Sequence, residues 1–164
     1  MRWELLISAL VAISPAAPVL ADPVYSEQEI VDFLLSAKLG GQRGLSLRPD
    51  TFDLVVTFDF DSDRLTPPAK VNLEEFAKGM QNEKVAKALS GDVVEIDGYT
   101  DATGTEMYNR RLSERRAQSV VDYLVQKGVS RSALTAIGFG AGRPRVADNP
   151  YDAANRRVEA HLVD

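Results

Sequence analysis

The amino-acid sequence predicts an α/β sandwich, a β-α-β-α-β-β domain with its helices packed on a small mixed sheet. Three observations carry this expectation. Apolar and polar residues alternate with period two from Phe52 to Phe60 and again from Arg157 to Val163, as in half-buried strands. Between them, segments with apolar residues at helical spacing are separated by the short apolar runs Val93–Asp97 and Leu134–Phe139. The resulting alternation of strands and helices implies right-handed crossovers with helices on one face of the sheet. The 164 residues suit one domain. They divide into a leader at 1–21, a short helix and linker at 22–50, and the main domain at 51–164.

Each element has a local reason. Arg2, the apolar stretch Leu5–Ile13 and the Val19-Leu20-Ala21 ending read as a cleaved secretory signal, and Pro15 and Pro18 speak against a retained membrane helix. Ser26-Glu27-Gln28-Glu29 has capping-box spacing for a short helix through Leu35. Ile30, Phe33 and Leu34 share one face of it, for docking on the main domain or on another chain, and Gly40–Gly44 reads as a loop. Phe52, Leu54, Val56, Phe58 and Phe60 form the apolar face of one strand, which Asp61-Ser62-Asp63 ends. Thr66-Pro67-Pro68 starts a helix, because proline lacks only an N–H that the first turn leaves unpaired. After Val93–Asp97 and a turn at Thr100–Thr105, a long helix runs from about Glu106 to Lys127 and stops at Gly128, with Tyr108, Leu112, Val120, Val121 and Leu124 as its core stripe. In the last strand Val158, Ala160 and Leu162 point inward, opposite Arg157, Glu159 and His161.

Composition narrows the function. With 19 Lys+Arg against 24 Asp+Glu, a net charge of −5 argues against a general nucleic-acid binder. The absence of cysteine excludes a disulfide framework, a thiolate metal site, a cysteine nucleophile and lipid attachment through cysteine. His161 is the one histidine and has no serine elbow or second histidine beside it, so it reads as non-catalytic. Asp59-Phe60-Asp61-Ser62-Asp63 begins like a calcium loop, but Arg64 and Lys70 stand where that loop needs glycine and glutamate. Gly138–Gly142 matches a phosphate cradle only in glycine count, since Arg143-Pro144-Arg145 follows in place of a helix. No metal or cofactor is expected, and no pair of carboxylates is spaced as an acid–base couple.

The stretch Asp97–Val121 is more specific. Thr100 and Asp101 fall at the carboxyl end of a strand, where open α/β folds bind ligands. Asn109 and Arg116 lie two turns apart on the following helix, with Ser113 beside them. Asp101 accepting from an ammonium and Arg116 gripping a carboxylate would complement a zwitterionic amino-acid end. An internal Asp101–Arg116 salt bridge accounts for the same spacing.

At these residues the sequence resembles the OmpA-like peptidoglycan-binding domains of outer-membrane anchoring proteins, peptidoglycan-associated lipoproteins and flagellar stator proteins. Gly98-Tyr99-Thr100-Asp101, Gly104, Tyr108-Asn109, Leu112-Ser113 and Arg116-Ala117 follow the family pattern G-H-T-D, x-x-G, Y-N-x-x-L-S-x-x-R-A. Phe58–Ser62, Gly138-Phe139-Gly140 with Pro144, and Asn155–Glu159 extend the likeness from about Val55 onward. The resemblance implies noncovalent binding of peptidoglycan through the diaminopimelate of its stem peptide, with Asp101 on the amine and Arg116 on the carboxylate. It implies help from Asn109, Thr100, Leu112, the Phe60-Asp61 turn and Arg156, with Arg157 a weaker candidate. Tyr99 replaces the usual histidine and is expected to cover the turn with its ring.

The 30 residues from Asp22 to Thr51 are too few for an eight-stranded barrel with about 9 to 11 residues per strand. The expectation is therefore a freestanding, non-enzymatic module of the Gram-negative periplasm, bound to peptidoglycan and associated with the outer membrane. An outer-membrane or envelope protein bound through residues 24–47 is the rival partner, and a hydrolase using Asp61 and Asp101 the rival chemistry.

Overall fold

The computed structural model describes residues 24–41, 51–59 and 61–163. The expected signal at 1–21, residues 42–44 of the expected glycine loop, and Phe60 lie outside the described residues. Four main helices and a four-stranded mixed sheet form the domain: α1 (Glu27–Gly41), β1 (Thr51–Asp53), α2 (Pro67–Gln81), α3 (Glu83–Ala88), β2 (Val93–Tyr99), α4 (Glu106–Gln126), β3 (Leu134–Gly140) and β4 (Val158–Val163). The sheet order is β1-β4-β2-β3, with β2 and β3 parallel and β4 antiparallel to both β1 and β2. Among the described residues no helix is long and apolar enough to cross a membrane.

Caps begin the helices where the sequence places them. The Ser26 N–H donates to Glu29 Oε2 at 2.9 Å, and Ser26 Oγ accepts from the Glu29 N–H, closing the capping box. Thr66 caps α2 by accepting from the Ala69 N–H, with Pro67 and Pro68 in the first turn. The α1 helix runs past Leu35 and includes Gly40 and Gly41 in its last turn, and in this extension Lys38 pairs with Asp92 at 2.7 Å. Ile30, Val31 and Leu34 of that face are buried beside Leu73, Phe76 and Ala77 of α2, and Phe52 joins the two helices through ring contacts with Tyr25, Phe33 and Phe76. The short α3, capped by the Asn82 side chain, was not expected from the sequence pattern.

The first strand is much shorter than its alternation suggests. Leu54 and Val56 are buried as the period-two pattern requires, but the ladder ends at Asp53 because Val55 adopts φ 47°. A β-branched residue in that region is strained. It is held there by one local and one tertiary hydrogen bond: Asp53 Oδ1 accepts from the Val55 N–H at 3.1 Å, and Asn72 Nδ2 donates to the Val55 carbonyl at 2.9 Å. Past the kink the chain pairs locally, with Phe58 bridged to Leu65.

The sheet has two unlike faces. Val94, Ile96, Val158 and Ala160 meet Ala117, Val120, Val121 and Leu124 of α4 in one core with α1 and α2. The other face carries polar and aromatic groups, including Glu95, Asp97, Glu159 and His161. On it Arg143, Phe139, Tyr99 and Arg157 stack in series, the rings 5.4 Å apart and the guanidinium carbons 3.9 and 3.8 Å from Phe139 and Tyr99.

Helix α4 lies directly on the parallel strands. A Cβ built on Gly98 would stand 2.2 Å from the Ser113 carbonyl oxygen, and one on Gly138 would stand 2.3 Å from the Glu114 nitrogen. Both neighbours are helix backbone, so an added methyl has to displace α4. Gly138→Ala is expected to lower the unfolding free energy by about 1–3 kcal/mol, measured by denaturant unfolding followed by circular dichroism.

Candidate functional site

The loop between β2 and α4 opens a cleft of about 620 Å³, walled by Phe58, Asp59, Asp61, Thr100, Asp101, Thr103, Gly104, Tyr108, Asn109, Leu112, Arg116 and Arg156. Of the eight residues singled out in the sequence, seven meet here, and the eighth, Phe60, lies outside the described residues. A cavity of similar size, about 700 Å³, lies at the opposite end of β2, lined by apolar groups such as Met80, Val85, Leu89 and Val129. Its Asp92 is paired with Lys38 at 2.7 Å, so it gathers no comparable set of free charges.

Strand and helix position the charged groups together. The Thr100 N–H donates to the Gly140 carbonyl at 2.9 Å, pinning the end of β2 to β3. Thr105 caps α4, and Asn109 Nδ2 donates to the Asp101 carbonyl at 3.2 Å, fixing the intervening loop to the helix. Asn109 thus sets the backbone that carries Asp101. The Asp101 carboxylate accepts from the Thr103 N–H at 3.0 Å and from Arg156 Nη1 at 2.7 Å. Burial by itself would raise this carboxyl, but hydrogen bonds from Arg156 and Thr103 outweigh it and hold Asp101 below the usual carboxylate range.

Arg116 is buried to 9% exposure. Its Nε donates to the Ser62 carbonyl at 2.9 Å and its guanidinium carbon lies 4.9 Å from the centre of the Phe58 ring. Among the described residues its two Nη atoms make no hydrogen bond, which leaves the donor fork available. Burial lowers its pKa from an ordinary value so high that the group stays cationic. The internal Asp101–Arg116 salt bridge is absent among these contacts, since Arg156 takes the Asp101 partner role. Thr100 Oγ1 is buried without a hydrogen-bond partner.

Several expectations need correction. Tyr108 is not part of the core stripe: it is 40% exposed, lines the cleft and donates its hydroxyl to Asp61 Oδ1. That bond raises the Tyr108 phenol, and Asp61 is presented by a backbone at φ 51°. Ser113 does not face the cleft; its hydroxyl accepts from the Gly140 N–H at 2.9 Å and donates to the Arg110 carbonyl. Tyr99 does not cover the turn but is buried against Phe139, and it borders a smaller cavity of about 320 Å³ that shares Phe58, Arg116 and Arg156 with the cleft. Arg157 braces the sheet by pairing with Glu159 at 2.7 Å. Asp59 and Asp63 are tied to Arg64 and Arg115, so their carboxylates are not gathered around a common cation site. Helical spacing alone assigns Tyr108 to the core stripe, and its place in the cleft depends on Asp61 from a distant loop.

Residues 57–157 match the OmpA family. The chain belongs to this family. Outer membrane porin F of Pseudomonas fluorescens is 40% identical over 113 residues, 67% of this chain and 32% of that protein. Outer membrane protein A of Escherichia fergusonii is 39% identical over 109 residues, covering 66% of this chain and 42% of the relative. The match thus spans less than half of either relative. Among solved structures, the OmpA-like domain of FopA1 from Francisella tularensis superposes with a TM-score of 0.58 at 27% identity, covering 72% of this chain and 76% of that one. The peptidoglycan-associated lipoprotein from Burkholderia pseudomallei gives 0.55 at 27% identity, covering 70% and 91%. The periplasmic domain of Helicobacter pylori MotB, at 23% identity, shares the fold with a TM-score of 0.56 over 68% and 70% of the two chains.

The Arg156–Asp101 pair gives a direct test of the site's electrostatics. In Arg156→Ala the Asp101 carboxyl is expected to titrate at higher pH than in the parent, followed by carbon-detected NMR of its side chain.

Proposed function

We propose that this OmpA-family domain binds peptidoglycan noncovalently, through the diaminopimelate of the stem peptide, and so holds an envelope component to the cell wall. The observation that carries the reading is the presence of Asp101 and Arg116 in one cleft, the first an ionised acceptor and the second with an unused donor fork. The free end of diaminopimelate bears an ammonium and a carboxylate on one carbon. Asp101 receives the ammonium, and the Arg116 Nη atoms hold the carboxylate in bidentate fashion. Thr100 Oγ1 supplies a buried polar group that a ligand can satisfy, Leu112 packs the methylene chain, and Tyr108 and Asp61 form the rim. Arg156 orients the Asp101 carboxylate and keeps it charged.

The same contacts argue for binding rather than hydrolysis. An Asp101 held below the usual carboxylate range is a poor general acid, and Asp61 is engaged by Tyr108. The partner reading for residues 24–47 has less to support it, because Ile30, Val31 and Leu34 of α1 are already buried in the core. Relatives named as outer-membrane proteins and as a peptidoglycan-associated lipoprotein support an envelope location, which we place in the periplasm.

Co-sedimentation with purified sacculi tests the proposal. The protein is expected to pellet with diaminopimelate-type wall and far less with lysine-type wall, whose stem offers the ammonium without the neighbouring carboxylate. Each charge-assisted contact contributes about 1.5–3 kcal/mol, so Asp101→Ala and Arg116→Ala are each expected to weaken retention about tenfold or more. Arg116→Lys keeps the charge but loses the fork and should bind nearly as poorly. Folded protein that stays in the supernatant with both walls would sink the reading.

The pH dependence follows from Asp101. Its depressed pKa keeps the carboxylate ionised as pH falls through the ordinary carboxylate range, and protonation below that range removes the ammonium's partner. Retention is therefore expected to persist in mild acid and fall only at lower pH, read as the bound fraction across a pH series.

A further inference from the structure

The polar face of the sheet holds a second constellation that the cleft does not use. Glu95 and His161 stand directly opposite each other across the antiparallel β2–β4 ladder, and Asp97 follows two residues along the same face of β2. His161 lies between the carboxylates, Nε2 at 3.5 Å from Glu95 Oε1 and Nδ1 at 3.2 Å from Asp97 Oδ2. One donor atom from each side chain falls within 4.8 Å of the others. None of the three residues lines the Asp101–Arg116 cleft.

Two features separate this cluster from an ordinary solvated acidic patch. Asp97 is 1% exposed, yet among the described residues its Oδ1 has no hydrogen-bond partner, and the one polar contact of His161 Nδ1 is Asp97 Oδ2, outside hydrogen-bond geometry. Buried groups of this kind usually have partners, and while Asp97 Oδ2 accepts from the Tyr99 hydroxyl at 3.3 Å, its Oδ1 is left for a water or an ion to satisfy. Second, among the described residues neither Glu95 nor Asp97 has a lysine or arginine partner. The nearby cations are engaged elsewhere: Arg145 pairs with Asp53 and Glu159, and Arg157 pairs with Glu159.

We propose that Glu95, Asp97 and His161 form a binding site for a divalent transition-metal cation of the zinc type. One imidazole nitrogen with two carboxylate oxygens is a zinc-compatible donor set, and the nitrogen selects against magnesium and calcium, which prefer all-oxygen shells. Donors around a tetrahedral zinc stand about 3.3 Å apart, given bonds of about 2.0–2.2 Å. The present spacing therefore closes onto an ion by side-chain adjustment alone. The strands fix the three backbones in register, and His161, with its side chain 26% exposed, leaves a path from solvent. Three protein donors leave a fourth position for water. The bound ion crosslinks β2 to β4 and neutralises two adjacent carboxylates.

Because the chain has a single histidine, one imidazole reports on the site. The full, untagged chain is treated with chelator and titrated with Zn²⁺ at neutral pH, by calorimetry and by NMR of the His161 ring, with Mg²⁺ as control. Co²⁺ substitution is read by visible absorption. The expected result is uptake of one equivalent of Zn²⁺ with a shifted His161 ring signal, a tetrahedral Co²⁺ spectrum, no response to Mg²⁺, and affinity at least tenfold lower in His161→Gln and Glu95→Gln. These two variants alter the more exposed side chains, so the test stands even where Asp97→Asn fails to fold. An unmoved His161 signal in the parent chain, or Zn²⁺ uptake unchanged in His161→Gln, would overturn the proposal.

Discussion

The contact between α4 and the parallel β2–β3 pair is the constraint on which the rest of the site depends. Gly98 and Gly138 let the helix backbone sit against the strands at Ser113 and Glu114. Ser113 then fastens the helix to the end of β3 through the Gly140 N–H. With the helix fixed at that point, Asn109 one turn before and Arg116 almost one turn after are fixed relative to the strand ends. Asn109 reaches the Asp101 carbonyl and Arg116 reaches the Ser62 carbonyl, so two separate loops are set against one rigid surface. Preorganisation of this kind lowers the ordering cost of binding a small charged ligand.

Charge is distributed unevenly over this scaffold. On the polar sheet face Arg145 and Arg157 are matched against Asp53 and Glu159. In the cleft the matching is incomplete by design of the geometry: Arg156 is spent on Asp101, while Arg116 retains its fork. A second cation beside Arg116 also discourages closure of a simple internal pair, because Asp101 is already held in place. The cleft thus holds one paired carboxylate and, beside it, a guanidinium with donors to spare among the described residues.

Much of this was legible in the sequence, and for identifiable reasons. The caps at Ser26 and Thr66 and the strand-loop-helix spacing from Gly98 to Arg116 are local signals, and the structure agrees with them. The clustering of Thr100, Asp101, Asn109 and Arg116 followed from the strand end and the helical repeat, while Leu112 entered the site only through the family resemblance. What was not legible depends on distant partners. The positive φ at Val55 combines a local Asp53 hydrogen bond with a distant one from Asn72 on α2, and period-two alternation shows neither. The extension of α1 beyond Leu35 carries an ion pair to a distant residue, Lys38 to Asp92, and Tyr108 reads as a core residue by spacing although its hydroxyl is claimed by Asp61 from another loop. Arg156 is assigned to Asp101 by a fold that brings together residues 55 positions apart.

The sheet order has a consequence for how the protein is made. Its last strand, β4, is an interior one, standing between the first and second strands to emerge. Until β4 is available, β1 has no strand to pair with and one edge of β2 stays open. Helix α4 can settle on β2 and β3 while the chain is still growing, since that unit is continuous in sequence. The kinked first strand must wait for β4, whereas α1 can already pack on α2. Such late closure leaves strand edges unpaired for as long as the chain is incomplete, the exposure that chaperones act on.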